Sequence, residues 1–212
     1  LRSRIEGSMR LCKAGTQLKV GFENITNYTF LSMRNTLKDS TRVGSILPSD
    51  YTRSVAVRQA SGSVQVFSAT LAQDLKFGPV HWDNEVTYQQ SSDQVSLPLP
   101  KVSLYTNLYF LFPIAKVLRV QMGGDMRYFT SYYAPDYSTS VGQFAVQDEQ
   151  NARIKVGNYP IVNVYINLHL KNCRLYVAMN HVNQGTGRAF WAPHYPINPR
   201  TFHFGLSWNF FN

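Results

Sequence analysis

Period-two alternation of apolar and polar residues runs through most of the chain. From Val162 to Leu170, Val162, Val164, Ile166, Leu168 and Leu170 fall on one side, and Asn163, Tyr165, Asn167 and His169 on the other. In Val80 to Tyr88, Val80, Trp82, Val86 and Tyr88 share a face with Asn84, and oppose His81, Asp83, Glu85 and Thr87. The last stretch, RTFHFGLSWNFFN, sets Phe202, Phe204, Leu206, Trp208 and Phe210 against Thr201, His203, Gly205, Ser207 and Asn209. Such alternation predicts strands with one apolar and one polar face. By this pattern strands are expected at 2–13, 17–30, 62–77, 79–91, 101–113, 117–133, 159–171, 173–184 and 200–212. No amphipathic helix, internal repeat, low-complexity tract or shift of composition divides the chain, so residues 1–212 read as one domain.

The links between these strands alternate in length. Tight links are expected at Ala14-Gly15-Thr16, Phe77-Gly78-Pro79, Phe112 to Lys116 and Lys171-Asn172, and long polar ones at 31–61, 92–100, 134–158 and 185–199. In an up-and-down barrel the short links then lie at one end and the long ones at the other, the arrangement of outer-membrane barrels. A soluble barrel or β-sandwich alternates too, with the apolar face turned inward. Two features weigh against it. The polar faces are poor in Lys and Glu and mix Asn, Tyr, His, Arg and Gly. Aromatic residues also sit toward both strand ends: Tyr28 and Phe30, Phe67 and Phe77, Trp82 and Tyr88, Phe110 and Phe112, Tyr128 and Tyr132. Aromatics at both edges of an apolar band match interfacial girdles. The expected fold is all-β: an antiparallel up-and-down transmembrane β-barrel with about 8–10 strands in this chain.

Composition changes this picture little. Charged residues make up 16% of the chain, the net charge is +9, and no stretch approaches the about 18 apolar residues of a spanning helix. A membrane barrel escapes that test, because only alternate residues face lipid. The basic charge is dispersed and accompanies no nucleic-acid motif, so no nucleic acid is expected as partner. Cys12 and Cys173 match no metal or redox spacing and read as strand residues needing no partner; no metal or cofactor is expected. No enzyme is expected either. His81 and Asp83 share a polar face near a short turn, and His181 and His194 lie near the long loops without an identifiable Ser or Asp partner.

If the apolar faces meet lipid, the opposite faces line a lumen. The candidate pore-lining residues are Arg4, Arg10, Lys19, Glu23, Asp83, Glu85, Lys101, Arg119, Asp125, Arg127, Asn163, Asn167, His169, Arg174 and His203, with Glu6, Tyr165, Lys171 and Asn209 on the same lines. Their charge is modestly basic, which predicts a weak anion preference. The alternative is that opposite charges pair across a narrow lumen and close it. Basic residues of the 31–60 segment, Arg34, Lys38, Arg42, Arg53 and Arg58, suit anionic lipopolysaccharide phosphates at an outer surface.

Several long segments, in order, carry a family likeness: NEVTYQQSSDQVSLPLPKVSLYTNLYF, GGDMRYFTSYYAPDY, GNYPIVNVYINLHLK, MNHVNQG and PHYPINPRTFHFGLSWNF. In these the chain resembles the putative porin family of Bacteroidetes outer membranes, over most of 62–212 and more loosely from Leu18. The resemblance implies a bacterial outer-membrane β-barrel with a pore-like role, and the function expected first is passive diffusion of small hydrophilic solutes. Outer-membrane lipid and lipopolysaccharide are the expected surroundings, and the alternative is a closed scaffold barrel whose extracellular loops bind an outer-membrane protein partner or lipopolysaccharide. It also implies that Phe202, Phe204, Trp208 and Phe210 are the terminal signal read by the barrel assembly machinery, with Asn212 a departure from an aromatic end. Members of the family are longer than this chain. Counting back from a last strand that runs toward the periplasm, 2–13 would start at the extracellular end. The expectation is therefore a C-terminal portion of a longer barrel, or a barrel of about eight strands without 2–13.

Overall fold

The computed structural model describes residues 1–11, 15–37, 51–147 and 153–210. Fifteen strands are formed among them. The long ones are β1 (Arg2–Leu11), β2 (Thr16–Ile25), β3 (Thr29–Leu37), β4 (Tyr51–Gln59), β5 (Val64–Phe77), β6 (Val80–Ser91), β7 (Val102–Ile114) and β8 (Leu118–Phe129). After the short β9 (Asp136–Ser138) and β10 (Gln143–Ala145) come β11 (Ile161–Leu170) and β12 (Cys173–Asn180), then β13 (Phe190–Ala192), β14 (Tyr195–Pro196) and β15 (Thr201–Trp208). Nine of them build one antiparallel sheet in the order β1-β2-β5-β6-β7-β8-β11-β12-β15, and these nine are the strands expected from alternation.

Register keeps the two faces apart across the whole sheet. One row runs Leu75, Trp82, Leu108, Gly124, Val164, Met179, Phe202. The next apolar row runs Phe77, Val80, Phe110, Met122, Ile166, Val177, Phe204. The side chains of this face are solvent-exposed in the isolated chain: Leu71 by 46%, Leu108 by 47%, Phe204 by 74%. Asn84, the polar residue expected among them, is satisfied there. Trp82 Nε1 donates to Thr106 Oγ1 at 2.8 Å, and Thr106 Oγ1 donates to Asn84 Oδ1 at 2.7 Å.

Short turns stand at one end. Gly78 (φ 60°) opens the two-residue link Gly78-Pro79, the glycine-first hairpin turn whose twist suits antiparallel strands. From one hairpin to the next the turns shift by about four residues. Thr16 pairs with Gln73, four residues short of Phe77, and Val80 pairs with Phe110, four short of Ile114. That stagger is the strand tilt a barrel wall requires.

The long polar links contain structure that alternation did not predict. Asn27 adopts φ 58°, which Asn tolerates well, so the expected strand 17–30 breaks after Ile25 and its end becomes the start of β3. β3 and β4 then pair over nine residues as a separate hairpin. β9 pairs with β10, and β13 with β14, inside the later links. Phe30 thereby leaves the main sheet, and Tyr28 and Tyr132 lie outside its strands, so none of the three belongs to a girdle. Phe67 and Tyr88 remain together on the outer apolar edge, with ring centres 6.4 Å apart.

The sheet is not closed. β1 and β15 are its two edges, and both run toward the short-turn end, so they are parallel to each other. All ten residues of β1 are exposed. Cys173 is a free thiol on the apolar face, opposite Leu170 and Trp208; Cys12 lies outside the described residues.

Two glycines of the polar face make contrasting predictions. A methyl group on Gly123 would stand 2.5 Å from Tyr109 Cβ and 2.7 Å from its Cα, against backbone that cannot yield. On Gly205 it would meet only the far end of the Tyr176 ring, at 2.5 Å from Cζ and 2.6 Å from Oη. Gly123→Ala is expected to destabilise by about 1–3 kcal/mol and Gly205→Ala by at most about 1 kcal/mol, since the ring can turn aside. Urea unfolding of the detergent-refolded chain measures both; equal effects contradict the packing described.

A pH prediction concerns the 92–100 link. Partial burial pushes the Asp93 carboxyl up, but hydrogen bonds from the Ser96 hydroxyl and from the backbone N–H groups of Ser96 and Val95 outweigh it and hold the group below its usual range. Its contribution to loop order is present above the ordinary aspartate range and is lost as pH falls through the lowered folded value. Amide exchange at Val95 and Ser96, taken relative to the intrinsic rate at each pH, is expected to quicken on acidification in the wild type. In Asp93→Ala it should be fast already at neutral pH.

Candidate functional site

The second face of the sheet collects the polar residues. Arg4, Arg10, Lys19, Glu23, Asp83, Glu85, Arg119, Asp125, Arg127, Asn163, Asn167, His169, Arg174 and His203 all share it by register. Lys101 stands just before β7, where its carbonyl accepts the Gln89 N–H. Lys171 is in the β11–β12 turn at φ 49° and Asn209 lies past β15, so neither lies on a wall strand.

Charge is not spread evenly over this wall. At the β1–β2 edge Arg2 pairs with Glu23 at 2.5 Å, and Arg4 pairs with Glu6. In the middle, one row runs Asp74, Asp83, Asn107, Asp125, Asn163. Because the strands are staggered, the row climbs from near the short turn of β5 to near the long-link end of β11. Asp74 and Asp83 are direct cross-strand neighbours, an unfavourable pairing of like charges. Tyr109 hydrogen-bonds Asp83, and Asn163 Nδ2 donates to Asp125 Oδ2 at 2.9 Å. Near the short-turn end a different row brings together Arg119, His169 and Arg174.

Aromatic residues join these rows, and the sequence reading did not single most of them out. His81 stacks on Tyr109 with ring centres 4.9 Å apart. Arg127 lies 5.7 Å from the Tyr105 ring centre. Tyr165 reaches across β8 to donate to Asn107 Oδ1 at 2.9 Å, and the row it crosses has only Gly123 on β8. Asp74, Asn107, Tyr105 and Tyr109 were legible in principle, since each continues a period-two face already assigned to its strand.

The long links fold over the outer end of this polar face. Val64, Ser91 and Ile161, all on that face, are buried there. Trp191 stacks on Phe129 of the wall with centres 6.3 Å apart, and the His181 N–H donates to Asn163 Oδ1 at 3.0 Å. The links also bind each other. Met33 N–H donates to Val146 O at 2.7 Å and Val146 N–H to Leu31 O at 2.8 Å, which joins β3 to the strand end after β10. Buried Gln147 donates to Ala134 O and Ile154 O at 2.7 and 2.8 Å and accepts from Ile154 N at 2.7 Å. Met33, Ala134, Ala145, Val156, Tyr159 and Ala192 are buried in this layer. The polar links thus hold a packed layer of their own, which alternation did not predict. Of the basic residues of 31–60, Lys38 and Arg42 fall outside the described residues.

Both loop histidines have partners. Buried His181 holds Tyr159 Oη at 2.7 Å through Nε2 and the Asn198 carbonyl at 2.8 Å through Nδ1. His194 Nδ1 stands 3.1 Å from Asp136 Oδ2, a carboxylate partner that the sequence reading did not find. Among the described residues no serine hydroxyl is hydrogen-bonded to His194, so no nucleophile completes a triad. No group of metal-ligating side chains forms among them either.

Phe202, Phe204 and Trp208 project from the apolar face of the edge strand β15, exposed by 61%, 74% and 58%, and Phe210 follows, exposed by 81%. Phe202 packs beside Phe204, and Trp208 stacks on Phe210.

Comparison with solved structures finds the crystal structure of the siderophore receptor PirA from Acinetobacter baumannii, with a TM-score of 0.59 and 12% sequence identity. The match covers 98% of this chain and 32% of the receptor, so the chain spans about a third of that barrel protein's length. At that identity the likeness is one of fold. No curated protein sequence matches the chain. The family described as "Putative porin" matches residues 1–212, the full length, and the chain belongs to that family.

Proposed function

We propose that this chain forms part of the wall of a bacterial outer-membrane porin that passes small hydrophilic solutes by passive diffusion. The observation that carries the reading is the unbroken register of nine strands, which leaves one continuous apolar face exposed and gathers the charged and amide side chains on the other. Water strongly disfavours such a face and lipid favours it. On the polar face basic side chains outnumber acidic ones, which supports a weak anion preference, although the central carboxylate row opposes it locally. The parallel, unpaired edges β1 and β15 support a wider barrel, in which further strands join the two edges.

A second reading is favoured by the packed loop layer: a barrel closed at its outer end, whose loops bind a partner protein or lipopolysaccharide. Buried Gln147 and His181 make that layer specific rather than loose.

Neighbouring residues on β5 test the membrane reading. Leu71→Arg places a charge on the apolar face at mid-strand and should cost about 2–4 kcal/mol in lipid vesicles. Ala72→Arg places it on the polar face in register with Glu85 and should cost less than about 1 kcal/mol. Tolerance of arginine at both positions, or folded chain in plain buffer, sinks the reading.

Planar-bilayer conductance of the whole gene product separates pore from closed barrel. Stable steps are expected, with none from residues 1–212 alone. Silence from the whole product, persisting when 134–158 is shortened, favours the closed barrel. Steps from the short chain alone mean that its edges close without further strands.

A further inference from the structure

The loop layer contains a cleft of about 500 Å³ between residues 154–157 and 188–194. Ile154, Val156 and Phe190 give it apolar walls, and Lys155, Arg188 and His194 give it polar ones. That size and mixture suit a small-molecule site. Its frame is fixed on both sides. Val156 and Tyr132 exchange backbone hydrogen bonds at 3.0 and 3.1 Å. Gly157, at φ 111°, lies so close to the 130–131 backbone that a Cβ there would stand 2.9 Å from Ser131 Cα and from Thr130 O. On the other side His194 sits at φ 66°, a conformation a non-glycine residue keeps only when its surroundings impose it.

The charges of the lining do not cancel. Among the described residues Arg188 forms no ion pair, and the Lys155 ammonium lies over the face of Tyr133, 5.1 Å from the ring centre. The carboxylate set against the lining is Asp136, which is buried behind His194 and engaged by its Nδ1. That contact orients the ring, and among the described residues Nε2 has no hydrogen-bond partner. Two cations beside apolar walls lack one complement: a negative charge carried on an apolar body.

We infer that this cleft binds a small organic anion, a carboxylate with an aryl or alkyl body, held by Lys155 and Arg188 with the body against Phe190 and Ile154. The site is separate from the wall, and its occupancy does not depend on conduction.

Isothermal titration of the folded whole gene product with three isosteres tests this: phenylacetate, neutral phenylacetamide and cationic 2-phenylethylamine. Phenylacetate is expected to bind about tenfold or more tighter than the amide, and the amine not to bind. Lys155→Gln/Arg188→Gln should weaken phenylacetate about tenfold or more and leave the amide unchanged. Lys171→Gln, at the opposite end of the sheet, should change neither. Retained heat-modifiability on gels shows that the double variant is folded, and Arg188→Lys should recover part of the binding. Equal binding of the three compounds overturns the site, as does an equal loss in Lys171→Gln. Competition by inorganic phosphate as strong as that by phenylacetate overturns the apolar body.

Discussion

A slip of one residue between any two of the nine strands would carry apolar side chains onto the polar wall and charges onto the apolar one. Everything else in the molecule depends on that register. It is pinned at the short turns, where Gly15, Gly78, Lys116 and Lys171 adopt positive φ and fix which residues face each other. Leu170 is thereby opposite Cys173, and Phe77 opposite Val80. The four-residue step between hairpins then tilts the strands. Tilt turns a flat row such as Asp74, Asp83, Asn107, Asp125, Asn163 into a rising stripe of carboxylates and amides.

The nine wall strands were legible because each repeats one rule over eight to fourteen residues. Asn84 looked like a flaw in that rule, and the structure resolves it through Thr106 of the same face, whose hydroxyl donates to Asn84 and accepts from Trp82. The loop strands were not legible because no single rule governs them. Met33 is buried by the segment around Val146, and Val156 by the segment around Tyr132, so what buries each residue lies far away in sequence. His194 and Asp136 are separated by 58 positions, and neither neighbourhood has a spacing that announces the other. The family resemblance reached the family and the all-β fold without reaching these contacts.

Polar groups are treated oppositely in the two regions. On the wall, acids and bases stay partly open: Asp74 and Asp83 face each other, and Arg119 and Arg174 flank His169. Water can solvate such groups, and a closely packed interior would not tolerate them. In the loop layer, buried polar groups are matched. Gln147 uses both ends of its amide, and His181 uses both ring nitrogens and its backbone N–H. The contrast separates a wet surface from a packed one within a single chain.

Edges impose the last constraint. β1 and β15 each present a row of backbone donors and acceptors, and in an apolar surrounding an unpaired row costs several kcal/mol per group. Those rows run in the same direction, so joining them to each other would need a parallel pair in a sheet whose other pairs are all antiparallel. An odd number of further antiparallel strands removes the conflict, because each added strand reverses direction. In the proposed wider barrel, the apolar residues on alternate positions of β1, Ile5, Met9 and Leu11, and the aromatic ones on β15 would continue one lipid-facing band through the added wall. The wider lumen of that proposed barrel would also separate the carboxylate stripe from the basic row near the turns and keep opposite charges from closing it.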